Sequence, residues 1–366
     1  MTATDFIMEF LRKSKRNKMD IKSMYLTELE EWIKEKGYPS FRAKQLYQWL
    51  HEKYVSSLDD MTNIPKNLKK DVEEAGFTVV KEELRQVSEK DGTIKFLFGM
   101  SDGQMIETVF MRYSYGNSIC ISSQAGCRMG CRFCASTIGG LVRNLTASEM
   151  LEQVYAAMRI TGERISNIVV MGTGEPLDNY ENLVRFIRLI SSEAGYNLSQ
   201  RSITVSSCGI VPRIYDLANE GFSITFALSL HAPTDEERKE LMPIAHQYTL
   251  QETLDACRAY FDKTGRRVTF EYSLVKGKND TEEQAIKLAK LLKGMNCHVN
   301  LIPVNPINER DFKQSDQDSV EKFKLTLEKK SINGTIRRSV GSDIDAACGQ
   351  LRRKHAVNSQ EETNEV

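Results

Sequence analysis

The chain has 366 residues and balances 50 basic against 50 acidic side chains. That balance excludes a whole-protein field that draws in nucleic acid, though not a local basic patch. No run approaches the roughly 18 apolar residues of a membrane-spanning helix, and eight cysteines are too sparse for a secreted disulfide scaffold. The N-terminal stretch MTATDFIMEFLRKSKRNK lacks an apolar signal core before a cleavage site. A cytoplasmic protein without membrane contact is expected, in which clustered cysteines point to metal binding or catalysis.

Residues 1–22 read as a basic leader, with Arg12, Lys13, Lys15, Arg16 and Lys18 close together. Such a run is either a solvated segment or a nucleic-acid contact. Residues 23–77 have helical periodicity: Leu29, Trp32 and Ile33 share one face, and Phe41, Gln45, Leu46, Trp49 and Leu50 suggest a second helix. Residues 78–116 contain KFLFGM and QMIETVFM around an Asp-Gly turn, a β-hairpin linker.

From 117 to 351 the pattern alternates. Strands are expected at 118–123, 167–171, 202–206, 224–230, 268–274 and 298–304. Between them come amphipathic helices at 146–161, 181–194, 211–220, 249–263 and 281–293, the first opened by a Thr146–Glu149 capping box. A helix at 318–330 and a strand at 335–340 follow, and the polar tail 352–366 is expected to be disordered. Six βα units imply an α/β fold with parallel strands, either an open doubly wound sheet or a barrel. In both, chemistry sits at the C-terminal strand ends.

The first such end carries GCRMGCRFCAS, which sets Cys127, Cys131 and Cys134 in a C-x3-C-x2-C pattern. Three thiolates on one short loop can wrap a metal centre and leave one position open. A structural zinc would need a fourth ligand from farther away, such as Cys120, His231 or Cys348. Other unusual residues fall at later strand ends. Gly172, Gly174 and Glu175 lie in MGTGEP, where the glycines would let the backbone approach a ligand and Glu175 could accept from an ammonium group. Ser206, then Ser229, Leu230 and His231, then Asn305 close the third, fourth and sixth strands.

The cysteine spacing resembles the radical S-adenosylmethionine (SAM) superfamily. The strings NSICISSQAGCRMGCRFCAS, MGTGEPLDN, SLHAPTDEERKELMPI, LVKGKND, VNLIPVNPI and SDIDAACGQL resemble its RlmN/Cfr family of RNA methyltransferases. The likeness runs from Gln104 to Leu351, and more loosely through YPSFRAKQLYQWL. It implies a partial (β/α)6 TIM-type radical SAM barrel behind an RNA-binding helical domain. It also implies a [4Fe–4S] cluster on Cys127, Cys131 and Cys134, with two SAM molecules used per turnover. SAM contacts carry over to Gly174, Glu175, Ser206, Ser229, Leu230, His231 and Asn305.

Cys348 would carry the methyl group, Cys120 would close a transient disulfide with it, and Glu107 matches the proposed general base. Lowered thiol pKa values are expected at Cys120 and Cys348. The product implied is 2-methyladenosine in 23S ribosomal RNA and in tRNA next to the anticodon. The partners implied are those RNAs and an external flavodoxin- or ferredoxin-type electron donor, with the enzyme a monomer. Cys208, Cys257 and Cys297 are expected to be structural. RNA backbone contacts are sought in the 11–18 cluster, in Arg42 with Lys44, and in Arg352, Arg353 and Lys354. The Cfr branch, which modifies carbon 8, is the nearest alternative, although CASTIGGLVRNL departs from the CATGDIG-like run of that branch. A noncatalytic iron–sulfur or zinc RNA-binding protein is the alternative from another class.

Overall fold

The structure, a computed structural model, describes residues 20–304, 311–338, 340–344 and 351. The helical unit holds α1 (Leu26–Glu35), α2 (Phe41–His51) and α3 (Lys66–Ala75). In α2 the buried set is Ala43, Leu46, Tyr47, Leu50 and His51, a stripe spaced three, one, three and one. Phe41 lies two residues before that stripe, about 200° around the helix, and is 54% exposed. The expected inward face containing Phe41 is therefore rotated.

After the helices come β1 (Lys81–Val87), β2 (Ile94–Gly99) and β3 (Met105–Met111), then β4 (Asn117–Cys120). A separate two-stranded ladder, β5 (Gln124–Gly126) with β6 (Leu141–Asn144), brackets the cysteine loop. The alternating region then runs α4 (Ala147–Thr161), β7 (Ile165–Val170), α5 (Tyr180–Ile190), β8 (Ile203–Ser207), α6 (Val211–Asn219) and β9 (Thr225–Ser229). It continues through α7 (Asp235–Leu241), α8 (Leu250–Thr264), β10 (Val268–Leu274), α9 (Glu282–Leu291), β11 (Cys297–Pro303), α10 (Gln317–Lys329) and β12 (Gly334–Ile336). One ten-stranded sheet has the order β1-β2-β3-β4-β7-β8-β9-β10-β11-β12. Its pairings are antiparallel from β1 to β4 and parallel from β4 to β12.

The six expected barrel strands and their helices are present, with ends shifted by up to a few residues. The Thr146–Glu149 capping box forms as expected. Three expectations change. The hairpin is not a mere linker, since β3 pairs with β4 and extends the barrel sheet. The last strand stops at Ile336 rather than 340; Arg337 N still donates to Leu301 O at 2.8 Å, and the chain then leaves the sheet. Lys22, assigned to the leader, is fully buried and pairs with Glu152 of α4 at 2.6 Å. Glu152 also takes Arg159 at 2.8 Å, so one buried carboxylate is shared by two cations. Asp20 accepts from Thr78 N at 2.7 Å, and Ser23 Oγ accepts from Ser148 N of α4 at 3.0 Å, so Lys22 and Ser23 join this segment to the barrel. The 11–18 cluster and the tail lie outside the described residues. Among the described residues no helix is long and apolar enough to cross a membrane.

Candidate active site

The cysteine loop is fixed at both ends before any side chain matters. Cys127 N donates to Gly140 O at 2.9 Å, just beyond the β5–β6 ladder. Thr137 Oγ1 donates to the carbonyls of Cys131 and Cys134, and Arg132 N donates to Leu241 O. Cys127, Cys131 and Cys134 thereby line one cavity of about 730 Å³. Burial pushes the Cys127 thiol up to about 12 and the Cys131 thiol higher still. Thiols in such a place ionise only when a cationic metal centre offsets the charge. Among the described residues no three His, Cys, Asp or Glu side chains are arranged around a single ion. Sulfur donors on one loop, facing a roomy cavity, fit a polynuclear iron–sulfur group.

The next strand ends converge on the same cavity. Gly174 has φ +112°, and a Cβ there would meet Gln124 Cβ at 2.6 Å and Ser123 Oγ at 2.7 Å. A Cβ on Gly172 would meet Ile121 O at 2.7 Å. Both glycines are thus required because this turn presses on the segment after β4, and both also line the cavity. Glu175 is buried; Oε1 accepts from Leu177 N at 3.0 Å and Oε2 from Cys208 N at 2.8 Å. The Ser207 hydroxyl and the Cys208 thiol also hydrogen-bond this carboxylate, and burial raises its pKa. Ser206 and Ser229 also line the cavity, their hydroxyls 3.4 Å apart.

His231 has a left-handed backbone, φ 59°, and its Nδ1 accepts from Ser273 N at 2.9 Å. Burial holds its pKa down at about 3, so the ring is neutral and Nε2 carries the proton. Leu230 is not part of the lining. Its side chain is fully buried in the core, and only its backbone takes part, N donating to Glu271 O at 3.0 Å. Asn305 lies outside the described residues.

Cys120 ends β4 and lines the cavity, in register with Val109 of β3. Glu107 lies two residues before Val109 on the same strand face. Its carboxylate does not line the cavity but pairs with Lys95 of β2 at 2.8 Å, both side chains almost wholly buried. Cys348 lies outside the described residues, as do Arg352, Arg353 and Lys354. The chain leading toward it is fixed, however. Val340, Gly341, Ser342 and Ile344 line the cavity. Asp343 accepts from Ser88 Oγ at 2.6 Å and from Glu89 N at 2.9 Å, while Gly341 N donates to Asp91 Oδ2 at 2.9 Å. The β1–β2 turn therefore grips this segment.

Two further residues escaped the sequence reading. Arg238 of α7 is fully buried, donating to Cys208 O at 2.7 Å, Leu230 O at 3.2 Å and Ser229 O at 3.4 Å, and so ties the ends of β8 and β9. Lys95 is the other; a lysine in an apolar strand, KFLFGM, gave no sign of a buried partner. Cys208, expected to be structural, is buried but also lines the cavity beside Cys131. Cys257 and Cys297 are buried in the main core.

Comparison with known proteins accords with this geometry. The Radical SAM superfamily matches residues 121–314, and the family described as the ribosomal RNA large subunit methyltransferase N-terminal domain matches residues 19–76. A protein of Lachnoclostridium phytofermentans named probable dual-specificity RNA methyltransferase RlmN is 60% identical over 339 residues, 92% of this chain and 95% of that one. One of the same name from Lachnospira eligens is 57% identical, over 93% of this chain and 98% of that one. A solved radical SAM methyltransferase from Sphaerobacter thermophilus superposes with a TM-score of 0.87 at 44% identity, covering 91% of this chain and 98% of that one. The chain belongs to the radical SAM superfamily and, within it, to the RlmN family of dual-specificity RNA methyltransferases.

Proposed function

We propose that this chain is a cytoplasmic, monomeric enzyme that methylates carbon 2 of adenosine. Its substrates are 23S ribosomal RNA at the peptidyl transferase centre and tRNA just 3′ of the anticodon, with two SAM molecules used per turnover. The observation that carries the proposal is Cys120. This thiol lies outside the three-cysteine loop yet lines the same cavity. Cys208 lines the cavity too, but its thiol is engaged with Glu175. A further thiol at Cys120 has no role in holding a three-ligand cluster, but it serves a mechanism in which a second cysteine bears the methyl group.

Cys127, Cys131 and Cys134 would hold the [4Fe–4S] cluster, which supplies, when bound, the electron that opens SAM to radical chemistry. Gly174, Glu175, Ser206, Ser229, His231 and Asn305 would surround SAM, with Leu230 contributing through its backbone alone. Within that set, the neutral His231 ring offers an Nε2 donor and Glu175 an acceptor. Carbon 2 of adenine is not a nucleophile, so it cannot take a methyl group by direct displacement. The Cys348 thiolate would take it instead. Loss of one hydrogen from that methyl group to the radical that SAM supplies would let its carbon bond to carbon 2, holding the base on Cys348 through a methylene link. Cys120 then closes a disulfide with Cys348, which breaks the bond from Cys348 to the methyl carbon and frees the product. Either Cys120 or Glu107 takes the ring proton, Glu107 only by exchanging its Lys95 contact for the cavity. An external flavodoxin- or ferredoxin-type protein supplies electrons. The target base must leave its stack to reach this cavity. Arg42 and Lys44 on α2, with Arg352, Arg353 and Lys354, are the proposed backbone contacts, which would make binding salt-dependent.

The test is nucleoside mass spectrometry after anaerobic reaction of cluster-reconstituted protein with reductant, SAM and a 23S ribosomal RNA fragment or tRNA. 2-Methyladenosine is expected from both RNAs. 8-Methyladenosine would assign the chain to the Cfr-type reaction. Absence of methylation from protein that cleaves SAM would overturn the assignment of substrate and of the Cys120–Cys348 pair.

A further inference from the structure

Glu271 lies in β10, in register with Ser229 of β9 on one side and Asn300 of β11 on the other. It is 3% exposed, yet it lines the cavity. Oε1 accepts from Asn300 Nδ2 at 3.1 Å, and Asn300 Oδ1 in turn accepts from Thr335 Oγ1 at 2.7 Å. Oε2 is buried and has no hydrogen-bond partner. Buried carboxylate oxygens are ordinarily satisfied, and an exception at a cavity wall marks a place where a ligand supplies the donor.

The surroundings define that donor. Ser206, Ser229, Glu271 and Asn300 form a polar row across β8 to β11, with the two serine hydroxyls 3.4 Å apart. Oε2 has no hydrogen-bond partner and Oε1 has one, while the Arg337 guanidinium, in the same cavity wall, acts on the carboxylate through space. Two adjacent O–H donors match such a carboxylate edge, as in dinucleotide sites where an acidic residue receives ribose hydroxyls. A nucleotide within an RNA chain has its 3′ oxygen tied into a phosphodiester and offers only the 2′ hydroxyl. A free vicinal diol in this cavity therefore belongs to the adenosyl group of SAM.

We propose that Glu271 binds the two ribose hydroxyls of SAM, with Asn300 orienting its carboxylate. This rests on the reading of the cavity as a SAM site. The test is equilibrium binding, under anaerobic conditions, of SAM and its 2′-deoxy and 3′-deoxy analogues. The proteins compared are cluster-reconstituted wild type and Glu271→Gln, with iron content and circular dichroism confirming the fold of each. Wild type is expected to bind SAM about tenfold or more tighter than either analogue, the scale of a hydrogen bond to a charged group. In Glu271→Gln that preference is expected to shrink to about twofold, while RNA affinity is unchanged. Wild type without preference for the diol, or a variant that keeps the full preference, would overturn the assignment alone. Wild type unable to bind SAM at all would overturn the SAM reading of the cavity and this assignment with it.

Discussion

Ser88 and Asp343, 255 positions apart in the chain, meet at 2.6 Å, the serine hydroxyl donating to Oδ1. The β1–β2 turn thus sets the path of the segment that enters the cavity wall just before the proposed methyl carrier. Asp343→Ala is expected to lower methylation by roughly threefold to tenfold, the scale of one or two lost hydrogen bonds. SAM cleavage without RNA should be unchanged. Parallel assays of methylated nucleoside and cleaved SAM decide the matter, and equal loss in both would mean that the contact supports the whole cavity.

Lys95 and Glu107 form an ion pair that is almost wholly buried. Removing one partner strands a charge, so Lys95→Met is expected to destabilise the fold by roughly 3–5 kcal/mol in denaturant titration. Lys95→Met combined with Glu107→Leu should recover much of that loss, and additive losses would contradict the pairing.

His51 is buried between α2 and α4, with Nδ1 3.1 Å from Tyr155 OH. Burial lowers its pKa to about 3. The unfolded chain takes up this proton below about pH 6.5, whereas the folded chain does so only near pH 3, so falling pH favours unfolding. Stability should therefore drop by about 1.4 kcal/mol per pH unit from this residue between those limits. His51→Leu is expected to flatten the slope by that amount, as read from urea midpoints at several pH values.

Cys127→Ala, Cys131→Ala and Cys134→Ala should each abolish iron retention and the visible absorption of the reconstituted protein. Cys208→Ala, in the same wall, should retain both. Iron loss in Cys208→Ala would redraw the ligand set.

Gly174 adopts φ +112° with no room for a Cβ. Gly174→Ala is expected to cost about 1–3 kcal/mol and to reduce SAM affinity together with stability. A neutral thermal melt would show that the turn can reposition.

Local pattern revealed the βα alternation because each unit carries its own period and caps. The Thr146–Glu149 box and the Leu29–Ile33 face are set by residues within a turn or two of each other. β1 stayed hidden because KEELRQV is an exposed, charged edge strand held by pairing with β2. β5 and β6 span three and four residues and exist only across the cysteine loop. Motif spacing located Cys127, Cys131, Cys134 and Glu175. It could not anticipate Lys95, Arg238 or Glu271, whose partners come from other strands and helices. Nor could it show that the glycines of MGTGEP also make room for residues 121–124.

Every strand of the large sheet is hydrogen-bonded to the strand that precedes it in that sheet along the chain. During synthesis each new strand therefore finds its neighbour already in place, and no closure across a missing strand is needed. The grip of Ser88 on residue 343 becomes possible only after every strand of the large sheet has been made. Until it forms, the wall that residues 340–344 complete is still open. The order of translation thus leaves an interval in which a bulky inorganic group can be loaded before its exit is narrowed.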